Sequence, residues 1–322
     1  RGSAINGNTY LSGQGAAIDI KIGRLALDGE GQATMIVAST LKANPGQTTS
    51  QDATGDGGNI DITAQAVRLT NGGQLQTVTS TRGKAGTIHM QADGLEIDGQ
   101  NGKGLTGIFA AANPGSGGQA GTILLDLADG DLTVTRRGGI SGQNDATVTT
   151  QQLAALTPSA VRITAGNVTL KEGALISAST SGNVEASTID LQSHRNITLD
   201  GSAALQGSTS GAGHASSINV RAGGDLTLGS RAFINGNTSR SGNAAAININ
   251  AANITLDGQG DSATISSEAI GQKDTTGSGG LIHLVTPGQL SLSNGGQIRS
   301  STNSAGNSGR ILLEARDIDI DG

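Results

Sequence analysis

The sequence predicts an all-β chain wound as a right-handed parallel β-helix, with three short strands in each of about ten coils. Three observations carry this expectation. Aliphatic residues recur in pairs separated by one polar residue, the alternation of a strand with one buried face. These pairs repeat with a base period of 28–29 residues, which is the scale of a solenoid repeat. Each period holds three such strands, which leaves no room for a helix in the coil.

The first strand of each coil is anchored by an aliphatic pair: Ile18/Ile20, Ile60/Ile62, Ile88/Met90, Ile123/Leu125, Val161/Ile163, Ile189/Leu191, Ile218/Val220, Ile247/Ile249, Ile282/Leu284 and Ile311/Leu313. The steps between them are 42, 28, 35, 38, 28, 29, 29, 35 and 29 residues. A second pair follows about seven residues later, from Leu25/Leu27 and Val67/Leu69 through to Leu290/Leu292 and Ile318/Ile320. A third aliphatic position comes next, running from Ile5, Ile36 and Leu75 to Ile265 and Ile298. Ser/Thr-rich segments such as "SASTSG" and "GNTSRSG" follow it. Between strands stand turn signals, "DG" at 28–29, 98–99, 200–201 and 257–258 and "GG" at 72–73, 138–139 and 295–296.

A strand this short buries little by itself, so each pair is expected to pack on its own equivalents in the coils on either side. With strands about 4.8 Å apart, ten coils make a rod roughly 48 Å long. Right-handed winding follows from the hand of parallel crossovers. Each buried Ile or Leu contributes on the order of 1.5–3 kcal/mol, and stability becomes a sum over coils and their interfaces. An antiparallel sandwich or a propeller fits less well, because propeller blades run about 40 residues with four strands and aromatic signatures.

Composition agrees. The chain has 322 residues with 52 Gly, 4 Pro, no Cys, no Trp, one Tyr and two Phe, so the core is built from aliphatics. The regular aliphatic spacing argues against the disorder that a Gly-rich polar chain otherwise suggests. Net charge is −6 and evenly spread, without the basic stripe that nucleic acid or an anionic membrane would require. No apolar run reaches the length of a membrane span, and the opening residues "RGSAINGNTY" do not read as a signal peptide. Zero cysteine excludes disulfides and thiolate metal sites. Residues 1–322 are expected to be one continuous β-helix segment. Ile5 fills a third-strand position with no anchor before it, and "RILLEARDIDIDG" holds two strands of a coil, so the segment is expected to be a fragment of a longer solenoid.

The stretches "GNIDITAQAVRLTNGGQLQTVTSTRGKAG" and "STIDLQSHRNITLDGSAALQGSTSGAGHAS" resemble the passenger repeats of filamentous-haemagglutinin-like two-partner-secretion exoproteins. The shared pattern is I-x-I, a spacer, L-x-L, a DG or GG turn, an aliphatic residue, a Ser/Thr run and a Gly-rich turn. The resemblance covers essentially the whole chain. It implies a right-handed β-helix, secretion from a Gram-negative bacterium through an outer-membrane partner transporter, a cell-surface location, and a role in adhesion, aggregation or biofilm. The partner it implies is that transporter; a receptor on a host-cell surface, a bacterial surface or a polysaccharide, and filament self-association, are further partners considered, and no nucleic acid is expected. The "NPNG"-type motif of the family's secretion domain is not matched. The Asn-Pro-Gly turns at 44–46 and 113–115 lie in inserted loops. The segment therefore reads as the shaft.

The outward residues between the anchors, from Asp19, Asp61 and His89 to His283 and Leu312, are chemically mixed and read as a solvated face. A second outward column, Thr133, Thr169, Thr198, Thr227 and Thr255 followed by Ser291, is more uniform. Regular Thr arrays bind ice, but the next outward rank (Thr135, Lys171, Asp200, Gly229, Asp257) holds no second row of Thr. A polysaccharide-degrading β-helix needs clustered carboxylates. Here Asp28, Asp98, Asp200 and Asp257 read as turn formers in coils that are mostly not adjacent. His89, His194, His214 and His283 sit at unrelated phases or in distant coils. No catalytic, cofactor-binding or metal-ligating residue is expected, and the chain reads as no enzyme.

Four insertions remain, near 41–57, 110–121, 141–159 and 266–280. All follow the third strand and so project from one edge of the rod. Three of them fall within roughly 15 Å along the axis. "TQQLAALT", 150–157, is expected to form a helical turn there. Loops on a rigid scaffold commonly carry binding. The expected function is a non-catalytic shaft that displays these loops. A structural extracellular filament or surface-layer component is the alternative.

Overall fold

A computed structural model describes residues 2–42, 54–100, 104–272 and 275–322. The described chain is a parallel β-solenoid of about ten turns. All strand pairings run parallel, and the aliphatic pairs stack in register. Ile60 lies between Ile18 and Ile88, and Ile62 between Ile20 and Met90. Ile60 is fully buried by its own equivalents. Second-strand and third-strand residues stack the same way, Leu199 between Leu170 and Leu228, Leu205 between Ile176 and Ile234. One continuous aliphatic core results.

The third strands form a ten-stranded sheet from Ala4–Asn6 to Gly296–Arg299. The first and second strands are not fully separate columns. Towards both ends of the rod they fuse into single long strands, Ile18–Asp28, Ile60–Thr70, Leu281–Ser293 and Arg310–Asp321. In the six coils between, a bend splits them, as in Ile88–Ala92 and Leu95–Asp98. The two columns thereby belong to one sixteen-stranded sheet. The expected three strands per coil hold for the middle of the rod.

Two side-chain ladders accompany the core. At the bend before the second strand, Asp131 accepts the Asn167 amide N–H at 2.9 Å. Asn196 accepts that of Asp225 at 2.9 Å, and Asn253 that of Gln289 at 3.0 Å. Each side chain thus satisfies a backbone donor one coil along, which a bend would otherwise leave unpaired. The second ladder lies after the third strand, where Thr79, Thr209 and Thr238 are buried. Their hydroxyls donate to the carbonyls of Gly83 (2.6 Å), Gly213 (2.6 Å) and Gly242 (2.5 Å), four residues on. At this position three insertion-bearing coils carry Ala112, Asn144 and Ala269, while the other keeps Thr40, whose hydroxyl meets that of Thr81 at 2.9 Å.

Glycine has a specific job in this stack. A Cβ on Gly86 would stand 2.0 Å from the Gly58 carbonyl oxygen, so the coils approach too closely for a side chain. In three of the four Asp-Gly turns the residue after the glycine is left-handed, Glu30, Gln100 and Gln259 having φ of 47°, 50° and 53°, whereas at 200–201 both Gly201 and Ser202 are, at 60° and 67°. In those three the Asp side chain accepts the N–H of the residue after the glycine at 3.0 Å. Gly29 itself is needed because a Cβ would meet the Gln32 carbonyl oxygen at 1.9 Å. No helix among the described residues is long and apolar enough to cross a membrane.

Candidate functional site: the insertion edge

The four insertions leave from the ends of the third strands Thr34–Val37, Gly107–Phe109, Gly139–Ser141 and Ala263–Ser266, so they stand on one edge as expected. Residues 43–53 of the first and 273–274 of the fourth lie outside the described residues, as does the Asn-Pro-Gly turn at 44–46. The other such turn is made: Gly115 has φ 76° and the Ser116 N–H reaches the Asn113 carbonyl at 3.0 Å.

The third insertion is docked on its neighbours. Thr147 N–H donates to Ser116 O at 2.9 Å, which ties it to the second insertion. The helical turn expected in "TQQLAALT" is present as Thr150–Leu153. Thr149 caps it, accepting the Gln152 N–H at 3.3 Å, while Gln152 Oε1 accepts the Thr149 N–H at 3.0 Å. None of its residues is buried. Anchorage comes instead from Leu156, which packs on a small satellite core of Ala112, Ala120, Ala146, Val148 and Val184. Gln119 Nε2 donates to the Thr157 carbonyl at 2.5 Å.

This insert separates two clefts. One, of 280 Å³, is lined by Leu153, Leu156, Pro158, Gln119 and His214 among others. Gln119 is only 5% exposed, and its Oε1 has no hydrogen-bond partner among the described residues. His214 accepts the Asn243 N–H on Nδ1 at 3.0 Å, which puts the neutral ring's proton on Nε2. The other cleft, of 620 Å³, is lined by hydroxyls and amides with Lys42 and Arg82 as its charged residues. Its walls come from the first, second and third insertions and from the coil between the first two, through Lys42, Gly115, Gln151 and Arg82. The axial proximity expected of these loops is therefore realised as one shared cleft.

The other columns bring their residues into register without converging on chemistry. Along the first outward column Arg162 Nε meets Asp190 at 3.3 Å, Asn219 Nδ2 donates to Asp190 at 2.7 Å, and Asn248 donates to Asn219 at 3.0 Å. His89 pairs with Asp61 at 3.2 Å, His194 with Asp129 at 3.0 Å and His283 with Glu314 at 2.9 Å. The Thr column is present as a half-buried ladder, Thr169 lying between Thr133 and Thr198. Among the described residues no group of three or more His, Asp or Glu could hold a metal ion.

Among the described residues three groups are electrostatically tuned, all by structural partners. The backbone N–H of Asn167 is the main cause that holds the Asp131 carboxyl below its usual range, helped by Asn167 Nδ2 and Arg195. Asp257 is lowered likewise, first by the Asn294 side chain and then by the Gln259 N–H. The buried Asp98 carboxylate takes a two-pronged hydrogen bond from Arg136 and raises that guanidinium further. The Asn/Asp ladder was missed in the sequence although a signal is there: Asp131, Asn167, Asn196, Asp225 and Asn253 each precede an aliphatic-Thr-aliphatic triplet. Compared with known proteins, the chain matches no family model, no curated protein and no solved structure.

Proposed function

We propose that this chain is a non-catalytic shaft segment of a large secreted adhesin of a Gram-negative cell surface, a stiff rod that holds binding loops on one edge. The observation that carries the reading is the third insertion. It is capped, docked by Asn183, Gln119 and Leu156, and flanked by two clefts on the edge where insertions gather. A loop kept only as a tolerated decoration has no need of a capping box and a satellite core. Rigid placement lowers the ordering cost of binding. The repeat pattern shared with filamentous-haemagglutinin-like exoproteins supports secretion through an outer-membrane partner, and a cysteine-free chain suits passage through a pore unfolded.

The test is co-sedimentation of the chain with whole bacterial and epithelial cells, beside a version trimmed within 41–57 and 141–159 whose unfolding midpoint is checked. Saturable binding lost on trimming supports the adhesin. Binding by neither form leaves a structural filament element instead. Release of sugar reducing ends from the cells would overturn the non-catalytic reading.

A further inference from the structure

Between the third and fourth insertions run three coils without an insertion, with third strands Leu175–Ser177, Ala204–Gln206 and Phe233–Asn235. Their outer face, where the chain leaves the third strand, forms a trough of 390 Å³. It spans from Gln143 in the third insertion to Ile270 in the fourth. The coils of Ser141 and Ser266 are four steps apart, roughly 19 Å at the spacing of paired strands.

Every residue lining this trough is uncharged, in a chain where 14% of residues carry charge. The side chains stand in ranks because the coils stack in register. Ser177, Gln206 and Asn235 pair along one rank. Ser181, Ser210 and Ser239 form another, each one residue after the paired Thr180, Thr209 and Thr238. Asp145 and Glu268, each two residues from a lining residue, are turned to structural use. Asp145 is buried and accepts the Ser181 N–H at 2.6 Å, and Glu268 is buried against Arg299 at 3.2 Å. Neither lines the trough.

Part of the polar surface is already engaged. Ser208 Oγ donates to Asn235 Oδ1 at 2.8 Å, and Ser179 Oγ accepts the Ser208 N–H at 3.2 Å. The Gln206 amide and the hydroxyls of Ser181, Ser210 and Ser239 make no hydrogen bond to another described residue. Those groups both donate and accept. Ile270, 50% exposed, supplies an apolar wall at one end, and its N–H is fixed to Thr238 O at 2.8 Å.

We propose that this trough binds an uncharged, hydroxyl-rich polysaccharide chain lying along the rod axis. The ligand's hydroxyls also donate and accept, so they match Gln206 and the serine rank group for group. A pyranose unit is about as long as a coil is high, so successive sugars meet successive coils. A carboxylated or sulfated glycan would find no cation among the residues that line the trough. Gln143 and Ile270 mark the two ends of the lined stretch. This assignment stands on the trough alone and does not depend on the chain being an adhesin.

The test is affinity electrophoresis of the full chain in gels cast with dextran, galactomannan or xyloglucan, beside gels with hyaluronan or heparin. Retardation is expected in at least one neutral gel and in neither acidic one. Ser210→Arg and Ser181→Arg, both at exposed positions, should weaken it about tenfold by filling the trough. Thr227→Arg, on the second-strand face, should leave it unchanged, with unfolding midpoints verified for all three. Passage through every neutral gel without retardation overturns the proposal. So does retardation confined to acidic gels, or retardation that both trough variants retain. A dimer in sedimentation that Ser210→Arg dissociates, with no glycan retention, would make the face a contact between copies.

Discussion

Asn183 grips Val148 at both polar atoms of its backbone: Nδ2 donates to the Val148 carbonyl at 2.7 Å, and Oδ1 accepts the Val148 N–H at 2.9 Å. The two residues lie 35 positions apart, on adjacent coils. One side chain thus does for the inserted loop what a strand pairing does for the coil below it. Removing it leaves a donor and an acceptor unpaired, a loss of about 1–3 kcal/mol. Asn183→Ala is expected to raise amide hydrogen exchange across 147–158 while the stacked strands stay protected. Equal protection in both proteins would show that the other anchors, Leu156, Gln119, the capping box and the Thr147–Ser116 bond, hold the insert without it.

The Asp131 carboxylate is held low chiefly by the Asn167 N–H, and this makes one coil contact sensitive to acid. Its folded value lies below the unfolded one, near 3.9. The group therefore binds protons more readily when unfolded. Its contribution to stability is complete above the unfolded value and is lost as pH falls through the lower folded value. Urea unfolding from neutral pH down to about pH 3 should show a fall that is shallower in Asp131→Asn. A steeper fall in the variant would reverse the assignment.

Core rungs should differ in worth with their burial. Leu199 is fully buried between Leu170 and Leu228, and truncation to Ala should cost about 2–5 kcal/mol. Ile320 occupies the equivalent phase, pairs with Leu292 and is 73% exposed in this chain. Ile320→Ala should stay within about 0.5 kcal/mol. Unfolding curves of the two variants measure this, and equal effects would contradict the account of burial by stacking.

Gly86→Ala should destabilise by about 1–3 kcal/mol, because its methyl would stand 2.0 Å from the Gly58 carbonyl oxygen and force two coils apart. Gly260→Ala is strained by its φ of 88°, so Gly104→Ala, with no atom of another described residue within 4 Å of the added Cβ, is the control and should be close to neutral. Thermal midpoints of both variants decide it. A neutral Gly86→Ala would mean that the coils slide freely at this corner.

Much of the solenoid was legible before any coordinates. The Ile60-x-Ile62 pair has period-two alternation and recurs at the coil period, so both its strand and its stacking partners Ile18 and Ile88 follow from counting. The single edge shared by the insertions followed from the same count. The fusion of first and second strands in Ile18–Asp28 and Leu281–Ser293 did not, because a polar spacer can bend or stay extended according to the coils around it. The Asn/Asp ladder and the Thr-x-x-x-Gly turns had sequence signals. Their meaning lay in hydrogen bonds to a neighbouring coil or across a buried corner, and polar residues in a turn read equally well as solvated.

Which residues line the binding surfaces lay further still from the pattern. Repetition along the chain placed Ser181, Ser210 and Ser239 one coil apart, yet nothing in their spacing told that they form the uncharged floor of a trough. Likewise, Lys42, Gly115 and Gln151 meet across one cleft although they are scattered over 110 residues of sequence. The physical reason is the same in both cases. Periodic burial is a local property, written in each coil and reinforced by its identical neighbours. A cleft is a relation between unlike segments, and it exists once the stack has set their height along the axis and the inserts have folded against it.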